Sequence, residues 1–376
     1  MRGYSRNYKD RNLVLIVDAH EDIAYNVIVH GRDYTFSAQE TRAREAGGAR
    51  TLAETGTCML GLPEWLAGRV GIIFGTLFTM PIHYAVSLGE GAQTWAYATP
   101  QDADAQAMQQ LDVYQRLVDE NPRFALVRTQ RELDTVLATW KDDAPDAERK
   151  RQIGLVVLME GADPIVKPQD IGRWYERGLR IVGPAWVAGT RYAGGNGAPG
   201  PLTDEGVQLL RMMKDFNLVL DVSHLSDQAC LEALDRYDGP VIASHSNPRS
   251  LVPGPRQLSD DMLKALLTHD GIVGILPMNP MLRADWRRGD RKDAVTVADV
   301  AGAIDSVCQM AGDAAHVGLG TDFDGGFGAE SAPAEIDTVA DLGKVADALK
   351  VRGYGRVDVE AILSGNWLRL LRRSLP

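Results

Sequence analysis

Short, near-continuous apolar runs recur along the chain, each closing on a polar or glycine cluster and each followed by sequence with helical spacing. The runs Asn12–Asp18, Arg69–Leu77, Gly154–Glu160, Arg180–Ala185, Asn217–Ser223, Pro240–Ser244, Gly271–Pro277 and His316–Thr321 read as strands. They are rich in Val, Ile and Leu without strict alternation, as parallel strands covered on both faces are. Thr203 reads as an N-cap, with Asp204 and Glu205 in the first turn, where acids favour the positive end of the helix dipole, ahead of Leu209, Leu210, Met213 and Phe216. Ser226 and Ser259 open the next two helices in the same way. Strands alternating with helices in this number predict an α/β fold, a (β/α)8 TIM-like barrel, as one domain over residues 1–376 with a C-terminal helix. A polar, mostly helical elaboration at about 98–151, holding an extra apolar run Phe124–Val127, is expected within one βα connection. The glycine- and proline-rich stretches Gly189–Pro201 and Gly325–Ala334 read as long loops at the barrel mouth.

Composition narrows the class. With 45% hydrophobic and 24% charged residues the chain can bury a large core, so extensive disorder is not expected. A net charge of -11 argues against a nucleic-acid partner and leaves small or cationic ligands. The basic amino end, Met1–Arg11, precedes an apolar run that Asp18, Glu21 and Asp22 interrupt, and no stretch approaches the roughly 18 apolar residues of a membrane helix. Val70–Ile82, with two glycines and a proline, reads as a buried strand and its exit. No membrane association and a cytoplasmic location are therefore expected. Cys58, Cys230 and Cys308 show no CxxC spacing, so a metal here would use nitrogen and oxygen ligands.

In a barrel of this kind the carboxyl ends of all strands share one mouth, where residues distant in sequence meet. The first run ends in Asp18-Ala19-His20-Glu21-Asp22, and residues two apart in an extended chain share a face, so His20 and Asp22 can reach one cation. The third run ends at Glu160, the fifth reaches His224, the sixth reaches His245 and the eighth leads to Asp322. Each has an ordinary structural explanation when taken singly: an acid at a helix start, a hydrogen-bonded core histidine, a loop cap. Jointly they favour metal, because three of only seven histidines fall at these ends. His30, His83, His269 and His316 carry no assigned chemistry. Five such ligands exceed what one four-coordinate zinc requires, so two ions sharing Glu160 are the economical arrangement. Such a pair lowers the pKa of a shared water and polarises a carbonyl, which is hydrolytic machinery.

Seven ordered motifs then resemble, over nearly the whole chain, the membrane (renal) dipeptidases and their bacterial relatives, zinc peptidases with a barrel fold. They are His20-Glu21-Asp22, Met159-Glu160-Gly161, Asp221-Val222-Ser223-His224, Ser244-His245-Ser246, Arg256-Gln257-Leu258-Ser259-Asp260-Asp261, Gly320-Thr321-Asp322-Phe323-Asp324-Gly325 and Gly365-Asn366-Trp367-Leu368-Arg369. The resemblance implies two Zn2+ ions, one held by His20 and Asp22, the other by His224 and His245, with Glu160 bridging. It implies that Arg256 binds the terminal carboxylate of a dipeptide-like substrate, and that Asp322 manages protons and the substrate amine. Members of the family are often dimers, so a homodimer is an expectation.

One departure stands out. Where the family has a histidine at the end of the fourth strand, contacting the carbonyl under attack, the segment Val182-Gly183-Pro184-Ala185-Trp186-Val187 places Trp186. An indole N–H donates one hydrogen bond but carries no charge and shuttles no proton. Losing an oxyanion donor costs on the order of 10²–10³ in rate. The strand-seven end, Leu276-Pro277-Met278-Asn279, also lacks the aromatic pocket residue expected by analogy. The primary expectation is a zinc-dependent dipeptidase. The alternatives are a metal-dependent hydrolase of a non-peptide amide or lactone, or a metal-binding homologue with impaired turnover. Trp186 packing the pocket wall, or a one-residue shift of the alignment in this strand, are the plainer readings of that position.

Overall fold

A computed structural model describes residues 14–48, 54–88, 93–141 and 147–376. Eight parallel strands close on one another: β1 (Ile16–Glu21), β2 (Val70–Phe78), β3 (Ile153–Glu160), β4 (Leu179–Gly183), β5 (Val219–Asp221), β6 (Val241–Ala243), β7 (Ile272–Ile275) and β8 (Val317–Leu319). Each pairs with the next, and β8 returns to β1 through Asp18 and Leu319. Helices lie between the strands, which makes the fold a (β/α)8 barrel. Thr203, Ser226 and Ser259 cap their helices, each side chain accepting the N–H of the third residue on. The amino end 1–11 and residues 12 and 13 of the first expected strand lie outside the described residues.

Several strands are shorter than the apolar runs, for physical reasons at both ends. Arg69 and Asn217 have φ of 58° and 51°, which extended chain does not adopt. At the exits, carboxylates take the backbone N–H groups that a ladder would use: Asp221 Oδ1 accepts from Ser223 and Ser244, and Asp18 Oδ1 accepts from Thr321. Ladder pairing therefore stops where the polar residues begin. The run Phe124–Leu126 forms a ninth strand, pairing with Ile153–Leu155 at the start of β3 on the edge that β4 uses further along. That pairing is not visible in an isolated four-residue apolar run.

Between β2 and β3, Thr99 and Asp102 form a capping box for the helix Pro100–Glu120. From this helix the buried Gln110 donates to the carbonyl of Phe78 at 2.5 Å and accepts its N–H at 2.9 Å, and Tyr114 Oη donates to the carbonyl of Thr76 at 2.8 Å. The end of β2 is thus clamped from outside. Its register against β3 runs unbroken from Ile72 opposite Gly154 to Phe78 opposite Glu160. At the carboxyl terminus, the helix Asn366–Ser374 packs Trp367 edge-on to Phe74 and donates its indole N–H to the carbonyl of Leu319 at 3.1 Å. Among the described residues, no helix is long and apolar enough to cross a membrane.

Candidate metal centre

The first candidate ligands come from an irregular strand. Asp18 lies opposite Ile73 and Glu21 opposite Gly75, so β1 carries an extra residue between them. A bulge of this type re-aims side chains. Glu21 accepts the indole N–H of Trp65 at 2.9 Å, while His20 and Asp22 join Asp322 with one ligand atom of each within 4.8 Å of the others. From the end of β3, Glu160 Oε1 lies 3.1 Å from His224 Nε2, 3.3 Å from His245 Nε2 and 3.7 Å from His20 Nε2. The Nε2 atoms of His224 and His245 are 3.0 Å apart, and Asp322 Oδ1 is 3.8 Å from His20 Nε2. All five expected ligands are buried and meet at one mouth.

Two of the site residues leave their strands with reversed backbone: His224 has φ of 65° and Asp322 of 56°. For residues with a Cβ this region costs about 1–2 kcal/mol each, and such cost is often held where function needs a particular aim. The local hydrogen bonds over-determine both. The loop Gly189–Pro201 clasps His224 through Asn196, whose N–H meets the His224 carbonyl at 2.8 Å and whose Oδ1 lies 2.9 Å from Nδ1. The N–H of Asp322 donates to the carbonyl of His20 at 2.8 Å. Two residues on, Asp324 (φ 63°) is buried, accepts from Tyr34 Oη at 2.9 Å and from the Met59 N–H at 2.8 Å, and forms an ion pair with the Arg32 guanidinium at 2.9 Å.

The donor set fits a divalent cation. Ligand atoms bound tetrahedrally at about 2.0–2.1 Å lie about 3.3 Å from one another, which matches the spacing of these nitrogens and oxygens. His20 Nε2 is buried and has no hydrogen-bond partner among the described residues, an orphan that a metal would satisfy. In His224, donation from Nδ1 to Asn196 leaves a bare Nε2 facing Glu160. Imidazole nitrogens with carboxylate oxygens suit zinc and similar first-row ions.

Electrostatics in the metal-free chain separate the groups. Burial opposes charge on His20, but Glu160, Asp322 and Asp22 override it and push its pKa up to about 9. Burial likewise opposes charge on Glu160, and the charge on His20 holds its carboxyl well below the usual range. Burial and the Glu160 charge raise Asp22 to about 6, although Thr76 donates to it. Burial pushes Asp322 well up, aided by Asp22 and Glu160. Burial and the Arg256 charge lower His224 to about 4, and burial, His20 and Arg256 lower His245 well below the ordinary value. In the metal-free chain the two carboxyls are thus pushed in opposite directions, Glu160 towards the carboxylate and Asp322 towards the protonated acid.

Arg256 donates to the carbonyl of His245 at 2.8 Å and to Ser246 Oγ at 3.1 Å, which holds its guanidinium beside the histidines. Trp186 is half-buried and packs edge-on to Phe78 and Tyr84, with ring centroids 4.8 and 4.9 Å away, and its ring lies 6.2 Å from that of His224. All eight residues singled out in the sequence thus lie at the same end of the barrel.

A family model described as membrane dipeptidase, peptidase family M19, matches residues 11–374. The chain belongs to the membrane dipeptidase family. Within it, the chain is 33% identical over 241 residues to an uncharacterized protein in the pqqA 5' region of Klebsiella pneumoniae, covering 61% of this chain and 86% of that one. It is 26% identical over 364 residues to dipeptidase aclJ of Aspergillus oryzae, covering 95% of this chain and 78% of that protein. The fold is shared with the probable dipeptidase PvdM of Pseudomonas aeruginosa, at a TM-score of 0.77 and 18% identity, covering 97% of this chain and 96% of the other. In this member of the membrane dipeptidase family, ligand-type reasoning passed over Thr76, Asn196, Asp221 and Ser244, which touch the ligands directly or through one atom. Asp221 and Ser244 stand inside motifs quoted above, and their position beside a histidine is a usable signal. Nothing marks Asn196 in its glycine-rich loop.

Proposed function

We propose that the chain is a two-zinc hydrolase that cleaves the amide bond of dipeptides or dipeptide-like molecules. The observation that carries this reading is the convergence of three imidazole Nε2 atoms on Glu160 Oε1, with Asp22 and Asp322 alongside, in a membrane dipeptidase barrel. Relatives named dipeptidases support the substrate class. In this reading His20, Asp22, Glu160, His224 and His245 are the residues that would hold the ions. When bound, the ions supply Lewis acidity that activates water and polarises the scissile carbonyl. Asp322, with Oδ1 3.8 Å from His20 Nε2, stands where it can pass a proton to the leaving amine. Arg256, fixed by its bonds to His245 and Ser246, offers its fork to the substrate carboxylate. Trp186, Phe78 and Tyr84 form an aromatic wall on one side of the mouth.

A second reading keeps the metals and changes the substrate to a non-peptide amide or lactone. The aromatic packing of Trp186 favours it, since an indole there cannot do what the family histidine does. Metal analysis after zinc reconstitution, followed by a screen of L,L- and L,D-dipeptides against amides and lactones, separates the two. Two zinc equivalents with dipeptide turnover are expected. Protein that takes up only trace zinc, manganese or cobalt sinks both readings, and turnover confined to lactones or non-peptide amides selects the second. If the wild type binds metal but turns over nothing, dipeptidase activity gained in Trp186→His identifies an enzyme that has drifted into impairment.

A further inference from the structure

We propose that Ser244 is a positioning residue that sets the tautomer of two metal ligands at once, His20 and His245, with Asp221 dictating the direction of its hydrogen bonds. The inference rests on the reading above that these imidazoles hold metal.

Asp221, at the end of β5, is engaged on both oxygens. Oδ1 accepts the N–H of Ser223 at 3.0 Å and that of Ser244 at 2.9 Å, and Oδ2 lies 2.6 Å from Ser244 Oγ. A carboxylate has no hydrogen to give, so the Ser244 hydroxyl donates to it. The other hydroxyl nearby, Ser223 Oγ, is 3.4 Å away and cannot compete with a charge-assisted bond of 2.6 Å. The single hydrogen of Ser244 is thereby spent. What remains on its Oγ is lone pairs, and these face His245 Nδ1 at 2.8 Å and His20 Nδ1 at 3.1 Å. Lone pair against lone pair at those distances repels, so both Nδ1 atoms carry the hydrogen. A neutral imidazole protonated at Nδ1 has a bare Nε2. In His245 that bare nitrogen lies 3.3 Å from Glu160 Oε1 and 3.0 Å from His224 Nε2, and His20 Nε2 lies 3.7 Å from Glu160 Oε1, so a cation among them would take lone pairs that otherwise oppose one another. In the metal-free chain His20, pushed up to about 9, carries a proton on Nε2 as well, so the tautomer is read there at His245.

One hydroxyl thus serves both halves of the site. The backbone that carries it has no room to drift, because a Cβ on Gly274 or Gly320 would come 1.8 or 1.7 Å from the Ser244 carbonyl oxygen. Only glycine fits at those two positions of β7 and the β8 exit. The third imidazole, His224, is set independently by Asn196 Oδ1, which supplies an internal control.

Asp221→Asn tests the direction without changing the shape. Its amide oxygen stays on the two backbone N–H groups, so its NH2 faces Ser244 Oγ and donates, and the hydroxyl must turn its hydrogen onto an imidazole Nδ1. The proton of that ring then moves to Nε2, where metal binds. Two-bond 1H–15N spectra of histidine-labelled zinc-free protein read the tautomers, and zinc competition against a chelating dye reads affinity. The wild type is expected to show His245 protonated at Nδ1. Asp221→Asn is expected to show His245 switched to Nε2–H, with zinc affinity down roughly 10–100-fold, and Ser244→Ala a loss of the same order without the switch. Asn196→Ala should leave the His20 and His245 signals in place. Wild-type His245 protonated at Nε2 overturns the inference, as does an Asp221→Asn or Ser244→Ala protein with zinc affinity within about twofold of wild type. If Asp221→Asn does not fold, Ser244→Ala decides alone. A wild type that binds no zinc defeats the metal reading instead, while the tautomer remains readable.

Discussion

Replacing Glu160 with Gln in the metal-free protein keeps the shape of the site and removes its most firmly held negative charge. Glu160 Oε1 lies 3.7 Å from His20 Nε2. At an effective dielectric of about 20, unit charges at that separation interact by ~4.5 kcal/mol, equivalent to about three pKa units. His20 sits at about 9 in the wild type, so in Glu160→Gln its midpoint should fall to about 6. The stability consequence has a definite sign. A histidine whose folded pKa is raised above 6.5 stabilises fully below that value and loses the contribution as pH rises through about 9. The metal-free wild type should therefore lose on the order of 3 kcal/mol between pH 6.5 and 9 through His20, and Glu160→Gln much less than ~1 kcal/mol. His224 and His245 have lowered pKa values and stay neutral in this window. Asp22, at about 6, has largely titrated below it. Asp322, pushed well up, acts with the same sign, so the NMR titration of His20 isolates the effect and urea unfolding at several pH values supports it. A wild-type His20 midpoint below 7, or a Glu160→Gln midpoint within about half a unit of wild type, refutes the reasoning.

Stripping metal with excess chelator should lower the unfolding temperature, and zinc restored at about 100 times its Kd should return about 2.7 kcal/mol; identical melting curves in scanning calorimetry would count against the site. Arg256→Lys keeps the charge and loses the fork, so kcat/KM for dipeptides should fall about 10–100-fold, mainly through KM, with little change for amidated substrates. Gly320→Ala puts a Cβ 1.7 Å from the Ser244 carbonyl oxygen, a clash with backbone that no rotamer relieves. It should cost several kcal/mol or more in denaturant unfolding. Gly343→Ala, with nothing within 4 Å of its new Cβ, should be near neutral.

The barrel was legible because parallel strands covered on both faces are continuous apolar runs, and β2 and β3 are buried along their whole length. The candidate ligands were legible because His20, Glu160, His224 and His245 stand where those runs turn polar, and strand ends share one mouth. What fixes the ligands was not. The bulge in β1 and the reversed backbone at His224 and Asp322 are conformations that no residue type there announces. Ser244, Asp221 and Asn196 are common polar residues whose role lies in which atom donates to which, and that needs coordinates. The strand Phe124–Leu126 was visible as apolar sequence, but its partner was not.

Trp186 shows how a change at one strand end draws on distant sequence. Its ring rests on Phe78, and Phe78 is held on both backbone atoms by Gln110 of the helix Pro100–Glu120. That helix belongs to the elaboration between β2 and β3, remote from every motif, yet it sets the position of the aromatic wall beside the candidate metal ligands. Gln110 is fully buried, so Gln110→Ala opens a cavity and leaves the Phe78 N–H and carbonyl unpaired, at about 1–3 kcal/mol for each group. The expected result is a looser wall: a changed ranking of substrates by side-chain bulk, with zinc content unaltered because no ligand touches Gln110. An unchanged ranking in a folded, zinc-replete Gln110→Ala protein would mean that Trp186 and Tyr84 hold the wall without the helix.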